Sequence, residues 1–316
     1  MQGKDLLSIS DMTGEEIMSL ITETVDMKAS ARWSSLLDRK ILALLFEKPS
    51  LRTRVSFEVA MRQLGGQTIY LSPAEVGMGK REPVADVARV LSRCVNVIAA
   101  RTFAHQTAVD LAGYASVPVI NALSDFEHPC QALADLLTVY ENRGGFKGVT
   151  LAYIGDGNNV AHSLMLACAM TGINFKIASP TGYSVQYAVL RRAQEYAADS
   201  GAGIFCTTDP RLAAEGADVL YTDVWTSMGQ ESEMEDRKRA FTGFQINKGL
   251  VVLARENAII MHDLPAHYGE EITEEVASSP QSVIFDQAEN KMHVLKTLLA
   301  RMLGGLEISL GGYRQR

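Results

Sequence analysis

Two arginines and two hydroxyls fall within five residues, Ser50-Leu51-Arg52-Thr53-Arg54. Guanidinium groups keep their charge at every physiological pH and present planar forks that fit phosphate oxygens. The preceding run 41–46 is apolar and reads as a buried parallel strand, and Glu47-Lys48-Pro49 ends it. Val55, Val59, Ala60 and Leu64 then recur at helical spacing until Gly65-Gly66. The basic cluster therefore sits where a strand ends and a helix begins. Free backbone N–H groups and the positive end of the helix dipole converge there. That is the chemistry of a site for a small, strongly anionic group. Taken alone, the same pattern also describes an N-cap serine flanked by surface arginines.

Four further stretches carry chemistry. His128-Pro129-Cys130-Gln131 offers an imidazole and a carboxamide at a helix start, groups that polarise a carbonyl without a full charge. Arg101 and His105 end a neighbouring strand and are candidates to join them, although a lone histidine more commonly packs. Cys130 has none of the surroundings of a thiol nucleophile. In the run 223–230, Asp223 is a candidate partner for a substrate ammonium, and Ser227 and Gly229 suit a loop that folds over a ligand. In the run 262–267, Leu264-Pro265 admits a cis peptide that would aim backbone carbonyls into a cleft. Gly155-Asp156-Gly157-Asn158-Asn159-Val160 has the look of a dinucleotide fingerprint. Val160 replaces its third glycine, however, and the next strand ends in Ser179-Pro180-Thr181 without an acid for a ribose. Asn158 or Asn159 is better read as a neutral hydrogen-bonding group for a polar substrate.

Strands and helices alternate along the chain to position these groups. Strands are expected at 41–46, 67–71, 95–100, 117–122, 149–154, 175–178, 203–206, 218–221 and 258–261. Helices are expected after the acidic entry at 11–16, over 55–64, 84–93, 132–141 and 160–170, and in a closing segment over 286–303. A long loop over 72–83 holds Gly77, Gly79, Lys80, Arg81 and Glu82. The pattern predicts an α/β protein of two domains, each a mostly parallel sheet with helices on both faces. Asn142-Arg143-Gly144-Gly145 marks the boundary, giving domains at 1–143 and 144–286. The closing helix, from about 287 to 316, is expected to pack back on the first. Ligands of such sheets bind beyond the carboxyl ends of the strands. Every polar cluster (50–54, 101–105, 128–131, 156–159, 223–228 and 262–267) falls at such an end, so the site is expected in the interdomain cleft.

Composition sets the outer limits. The 316 residues are 47% hydrophobic and 21% charged, as in a soluble globular protein. A net charge of −7 argues against a general nucleic-acid binder and makes any anion site a local concentration of positive charge. The four cysteines are widely spaced with no C-x-x-C pair, which fits a reducing cytoplasm and gives no zinc signal. Residues 1–5 lack a signal-peptide pattern, and no apolar run approaches the ~18 residues of a membrane span. A cytoplasmic protein with neither membrane nor nucleic-acid partner is expected.

Seven stretches, 46–54, 101–103, 128–131, 155–159, 223–229, 262–265 and 285–290, together resemble the aspartate/ornithine carbamoyltransferase family over nearly the whole chain, and within it the ornithine branch. The resemblance implies two α/β domains, the first for carbamoyl phosphate and the second for L-ornithine. It implies transfer of the carbamoyl group to give L-citrulline and phosphate without metal or cofactor. It further implies homotrimers or assemblies of trimers, each site completed by a neighbour. By the family pattern Ser50, Leu51, Arg52, Thr53, Arg101, His128, Gln131, Leu264 and Lys291 hold carbamoyl phosphate, and Asn159, Asp223, Ser227 and Met228 hold ornithine. Arg52, Arg101 and His128 are the catalytic candidates. Orientation of the two substrates can supply roughly 7–11 kcal/mol, and no covalent intermediate is needed. An ammonium has a reference pKa of about 10.4, so the attacking amine must lose its proton in the site.

Four positions depart from the family pattern. Asp263 stands where the family usually has cysteine, Lys291 where it has arginine, Leu51 where it has threonine, and Gly77 where a neighbour-contributed glutamine is expected, with Lys80 or Arg81 as possible substitutes. Asp263 joins the catalytic candidates as a carboxylate that attracts the δ-ammonium and helps to remove its proton. The alternatives are a carbamoyltransferase for another amine, a non-catalytic homologue, and a nicotinamide-dependent enzyme, the last disfavoured by Val160.

Overall fold

The computed structural model describes residues 1–30, 34–78 and 81–304. Its first sheet holds β1 (Ile41–Phe46), β2 (Gln67–Leu71), β3 (Val97–Arg101) and β4 (Val119–Leu123) in the order β2-β1-β3-β4. Its second holds β5 (Thr150–Ile154), β6 (Asn174–Ala178), β7 (Ile204–Thr207), β8 (Val219–Thr222) and β9 (Ile259–His262) in the order β7-β6-β5-β8-β9. All neighbouring pairs within the two sheets are parallel, as the near-continuous apolar strands require. The expected α/β architecture is therefore present.

The longer helices are α1 (Gly14–Ser30), α2 (Leu51–Gln63), α3 (Val84–Ser92), α4 (His105–Tyr114), α5 (Pro129–Arg143), α6 (Asn159–Thr171), α7 (Tyr187–Ser200) and α8 (Ile284–Leu303). The largest core runs through both halves of the chain. It joins Leu42 and Val97 of the first sheet to Leu151 and Phe175 of the second through Leu136 of α5, Leu164 of α6 and Leu295 of α8. The closing helix packs on α5, α2 and α1.

The strand orders create two switch points. The chain turns to one side of β1 to make β2 and to the other to make β3. It does the same on either side of β5 with β6 and β8. A crevice opens at the carboxyl end of a sheet where the direction of winding reverses in this way. The residues after β1 and β3 line one crevice, and those after β5 and β8 line the other.

Some boundaries differ from expectation. The helix after the basic cluster begins at Leu51 rather than 55, with Ser50 as its N-cap accepting the Thr53 N–H at 3.4 Å. Apart from Leu51 its first turn is polar, so apolar spacing alone misses it. Arg101 is the last residue of β3, and its carbonyl accepts the Glu47 N–H at 2.8 Å. The 72–83 connection contains a short helix, Pro73–Val76. Gly79, Lys80 and the stretch 305–316 lie outside the described residues.

Candidate functional site

A cavity of about 1080 Å³ lies beyond the strand ends, with residues of both halves on its walls. One wall is basic. It holds Ser50 to Thr53 at the start of α2, Arg101 at the end of β3, His128 at the start of α5, and Lys291 from α8. Arg54 is not on it: it pairs with Glu58 at 2.8 Å and lies over the Tyr70 ring, 3.8 Å from the centroid. Burial lowers the Arg101 pKa to about 10, with Asp263 opposing and Arg52 adding to the effect. Its Nε, buried, finds no hydrogen-bond partner among the described residues. Burial, followed by the charges of Lys291 and Arg101, drives His128 well below the usual histidine range, so its imidazole is neutral. Its backbone N–H donates to Ser163 Oγ at 2.9 Å, and its Nδ1 is buried without a partner among the described residues. Lys291 is lowered by burial to about 8.

Gln131 does not line the cavity. It is buried on α5, three residues past His128, with its Nε2 donating to Asp135 Oδ1 at 2.7 Å. His105 is also absent from the lining, and its Nδ1 lies 2.9 Å from Ser124 Oγ. Cys130 is fully buried and burial pushes its thiol up to about 12, the state of a packing residue.

The opposite wall is acidic. Asp223 follows β8; its Oδ2 accepts from Asn158 Nδ2 and its Oδ1 from the Val224 N–H, both at 2.7 Å. Asp263 follows β9, and potential ligand atoms of Asp223, His262 and Asp263 all lie within 4.8 Å of one another. Burial raises Asp223 well above the carboxylate range and the charge of Asp263 adds to this. Burial also works to raise Asp263, but the hydrogen bond and charge of His262, followed by Asp223 and Lys291, more than offset it. Two close carboxylates oppose each other's ionisation in a dry site, which pushes Asp223 toward its protonated form and leaves Asp263 favoured as the carboxylate. His262 is a support for the wall. Its Nδ1 accepts the Leu264 N–H at 2.9 Å and its Nε2 meets Glu271 Oε1 at 3.0 Å. Accepting that N–H takes an unprotonated Nδ1, while, against burial, Asp263 and Glu271 beside the ring draw it toward protonation and raise its pKa to about 9. The Leu264–Pro265 peptide is cis, and both residues line the cavity.

Asn159, Ser227 and Met228 complete this side. Asn159 Nδ2 donates to Ser124 O at 2.7 Å, and the Ser227 N–H to Gln230 Oε1 at 3.0 Å. Of the glycine pair before α6, Gly155 takes a φ of 152° that other residues rarely adopt, and Gly157 serves packing. A Cβ on Gly157 would lie 2.1 Å from Val185 N. The Asn158 side chain accepts the Val160 and Ala161 N–H groups at 3.0 and 3.1 Å, taking two of the donors a pyrophosphate would use.

One part of the wall has a different role from the one expected, and one was not singled out from the sequence. Asn158, expected as a hydrogen-bonding group for the substrate, donates to Asp223 across 65 positions of chain and orients it. Arg237 binds Asp156 at 2.7 Å in a buried ion pair and bonds the Trp225 carbonyl at 3.0 Å. The sequence around Arg237, Glu235-Asp236-Arg237-Lys238-Arg239, has the look of a solvated helix face, and only a long-range pairing could have marked it.

The arrangement suits an anion on one wall, a cationic amine on the other and a polarised carbonyl between them. Comparisons with known proteins agree. Residues 4–141 match the carbamoyl-P binding domain of the aspartate/ornithine carbamoyltransferases, and residues 147–302 match their Asp/Orn binding domain. The ornithine carbamoyltransferase of Pyrococcus horikoshii is 50% identical over 311 residues, covering 97% of this chain and 98% of that one. That of a Nostoc species is 53% identical over 302 residues, covering 96% and 98%. Among solved structures, the ornithine carbamoyltransferase of Pyrococcus furiosus has a TM-score of 0.94 at 50% identity, covering 97% of this chain and 99% of that one. The anabolic enzyme of Campylobacter jejuni has a TM-score of 0.90 at 38% identity, covering 94% and 98%.

Proposed function

The chain belongs to the aspartate/ornithine carbamoyltransferase family, and from that premise we propose that it transfers the carbamoyl group of carbamoyl phosphate to the δ-amine of L-ornithine, releasing L-citrulline and phosphate. The observation that carries this reading is one cavity with Arg52, Arg101 and Lys291 on one wall and the Asp223–Asp263 pair on the other. In this reading Ser50, Leu51, Arg52, Thr53, Arg101, His128, Leu264 and Lys291 on the cavity wall hold carbamoyl phosphate, joined by Gln131, which is buried outside the lining three residues past His128 with its Oε1 lacking a partner among the described residues; Asn159, Asp223, Ser227 and Met228 hold ornithine. The amine nitrogen attacks the carbamoyl carbon, a C–N bond forms, and the bond from that carbon to the phosphate oxygen breaks. Arg52, Arg101 and the start of α2 take up the charge that gathers on the leaving phosphate. Neutral His128 and Arg101 polarise the carbonyl oxygen. Asp263, favoured as the carboxylate, receives the first proton of the δ-ammonium before attack, and the departing phosphate takes the second from the nitrogen as the C–O bond breaks.

The division of labour follows the two halves: a carbamoyl-phosphate domain at 1–143 with the closing helix, and an ornithine domain at 144–286. We place the protein in the cytoplasm as a homotrimer. Leu51, which lines the cavity but is 75% exposed, and Val55, 48% exposed one turn further along α2, leave open apolar surface beside a sheet whose edge is β2; they favour a protein neighbour there. A solution mass near three times 34.4 kDa checks the assembly.

The function is tested by supplying carbamoyl phosphate with ornithine, lysine, putrescine or aspartate and following phosphate release and product. Citrulline formed from ornithine alone is expected, and turnover confined to another amine would overturn the reading. Asp263→Cys is expected to alter the pH profile of turnover; an unchanged profile removes Asp263 from proton transfer.

A further inference from the structure

Asp135 lies within α5, fully buried, and does not line the cavity. Its carboxylate nevertheless receives three side-chain donors. Oδ1 accepts from Gln131 Nε2 at 2.7 Å and from Gln287 Nε2 at 2.8 Å, and Oδ2 accepts from the Tyr221 hydroxyl at 3.1 Å. The donors come from α5, α8 and β8, so the carboxylate ties both halves of the chain to the closing helix.

The direction of these bonds can be traced to a group that has no choice. The His262 backbone N–H can only donate, and it bonds Gln287 Oε1 at 2.8 Å. That fixes the Gln287 amide with its nitrogen toward Asp135 and toward Tyr221 Oη, 3.2 Å away. An ionised carboxylate can only accept, so Gln131 must also present its nitrogen to Asp135. Gln131 Oε1 is left buried, with no partner among the described residues. A buried amide oxygen without a partner is unfavourable, and a ligand N–H would satisfy it. His128, three residues earlier on the same helix start, lines the cavity.

We propose that Asp135 is a positioning residue for the carbamoyl donor: it holds Gln131 so that an acceptor meets the transferred group, and so selects a carbamoyl NH2 over the methyl of an acyl phosphate such as acetyl phosphate. This rests on Gln131 as a carbamoyl phosphate ligand. A site built around a fixed hydrogen-bond partner rejects the analogue that lacks the matching group, because the partner is then left unpaired. With Asp135 gone, the Gln131 amide turns freely and offers its nitrogen as readily as its oxygen.

The test uses the full chain carrying Asp135→Ala, Asp135→Asn, Gln131→Ala and the double variant Asp135→Ala/Gln131→Ala, with folding checked by circular dichroism. Asp135→Leu, nearer in volume, takes the place of Asp135→Ala if that variant does not fold. Binding of carbamoyl phosphate, acetyl phosphate and inorganic phosphate is measured at one pH above about 7, the value to which burial raises Asp135. Asp135→Ala is expected to weaken carbamoyl phosphate about tenfold and the other two ligands less than about twofold. Asp135→Asn is expected to bind carbamoyl phosphate nearly as tightly as the unaltered protein, since its Oδ1 still accepts both amides while its Nδ2 donates to Tyr221. The double variant is expected to match Gln131→Ala. Equal weakening of all three ligands by Asp135→Ala, or additive losses in the double variant, would overturn the inference. Failure of the unaltered protein to make citrulline would instead overturn the function on which it rests.

Discussion

At the scale of single residues, the basic wall contains one charge that can be titrated away near neutrality. Lys291 is buried on α8, and Asp263, Asp135, Arg101 and Arg52 face it. Burial outweighs the two carboxylates and lowers its pKa to about 8. A lysine lowered in this way is charged below that pH and loses its proton as pH rises through it. Arg101, lowered only to about 10, keeps its charge over the same range. Affinity for carbamoyl phosphate, measured calorimetrically without ornithine, is therefore expected to fall as pH rises through about 8. Lys291→Arg should abolish that fall, because a guanidinium holds its proton far more tightly. Persistence of the same fall in the variant would assign it to another group. The sequence marks Lys291 only through the family resemblance, whereas Arg52 and Arg101 stand out by their place at strand ends. What it hides is the dryness of the lysine's surroundings, which is a property of α8 packing on α5, α2 and α1.

At the scale of elements, the site is made by helix starts. Ser50, His128 and Asn158 are the N-caps of α2, α5 and α6, although only Ser50 and Asn158 cap with their side chains. The strand ends, and the starts of α2, α3, α5, α6 and α8, were legible to within a few residues, because apolar runs and Gly, Pro or Asn breaks announce them; no start was expected for α4 or α7. The reason for Gly157 was not legible: a glycine between a strand and a helix signals phosphate approach and close packing equally. The structure decides for packing, with the Val185 nitrogen 2.1 Å and the Ser184 carbonyl carbon 2.4 Å from where a Cβ would stand. Those are backbone atoms that no rotamer change can move. Gly157→Ala is expected to destabilise the protein by about 1–3 kcal/mol, in the range of overpacked interiors. It should also raise the KM for ornithine through displacement of Asn158 and Asn159, while the KM for carbamoyl phosphate changes less. Thermal denaturation and substrate titrations read the two effects; an unaltered melting temperature would show that the contact yields freely.

At the scale of the whole molecule, two alternating α/β halves and a break at Gly144-Gly145 suggest two independently folding bodies. The core says otherwise. α6 is buried from Val160 to Ala169, and α5 from Pro129 to Val139. A helix buried nearly all round belongs inside a larger core, and α8 closes that core against α5. The near-unbroken apolar run of α6 carried this information in the sequence, but not its partners: it packs most on its chain neighbours α7 and α5 and also on the distant α1, and local periodicity identifies none of them. The two halves should therefore unfold together. In urea, hydrogen exchange read by mass spectrometry is expected to give one midpoint for peptides from β1–β4 and from β5–β9. Leu295→Ala, which removes a fully buried side chain from the shared core, should cost about 2–5 kcal/mol and move both sets of peptides by the same amount. Were the ornithine half to hold its midpoint while the other shifted, the halves would be separate folding units joined only at their surfaces. The walls of the cavity would then be free to part without loss of either sheet. A common shift instead means that the distance between the basic wall and Asp263 is set by the same contacts that hold the molecule folded.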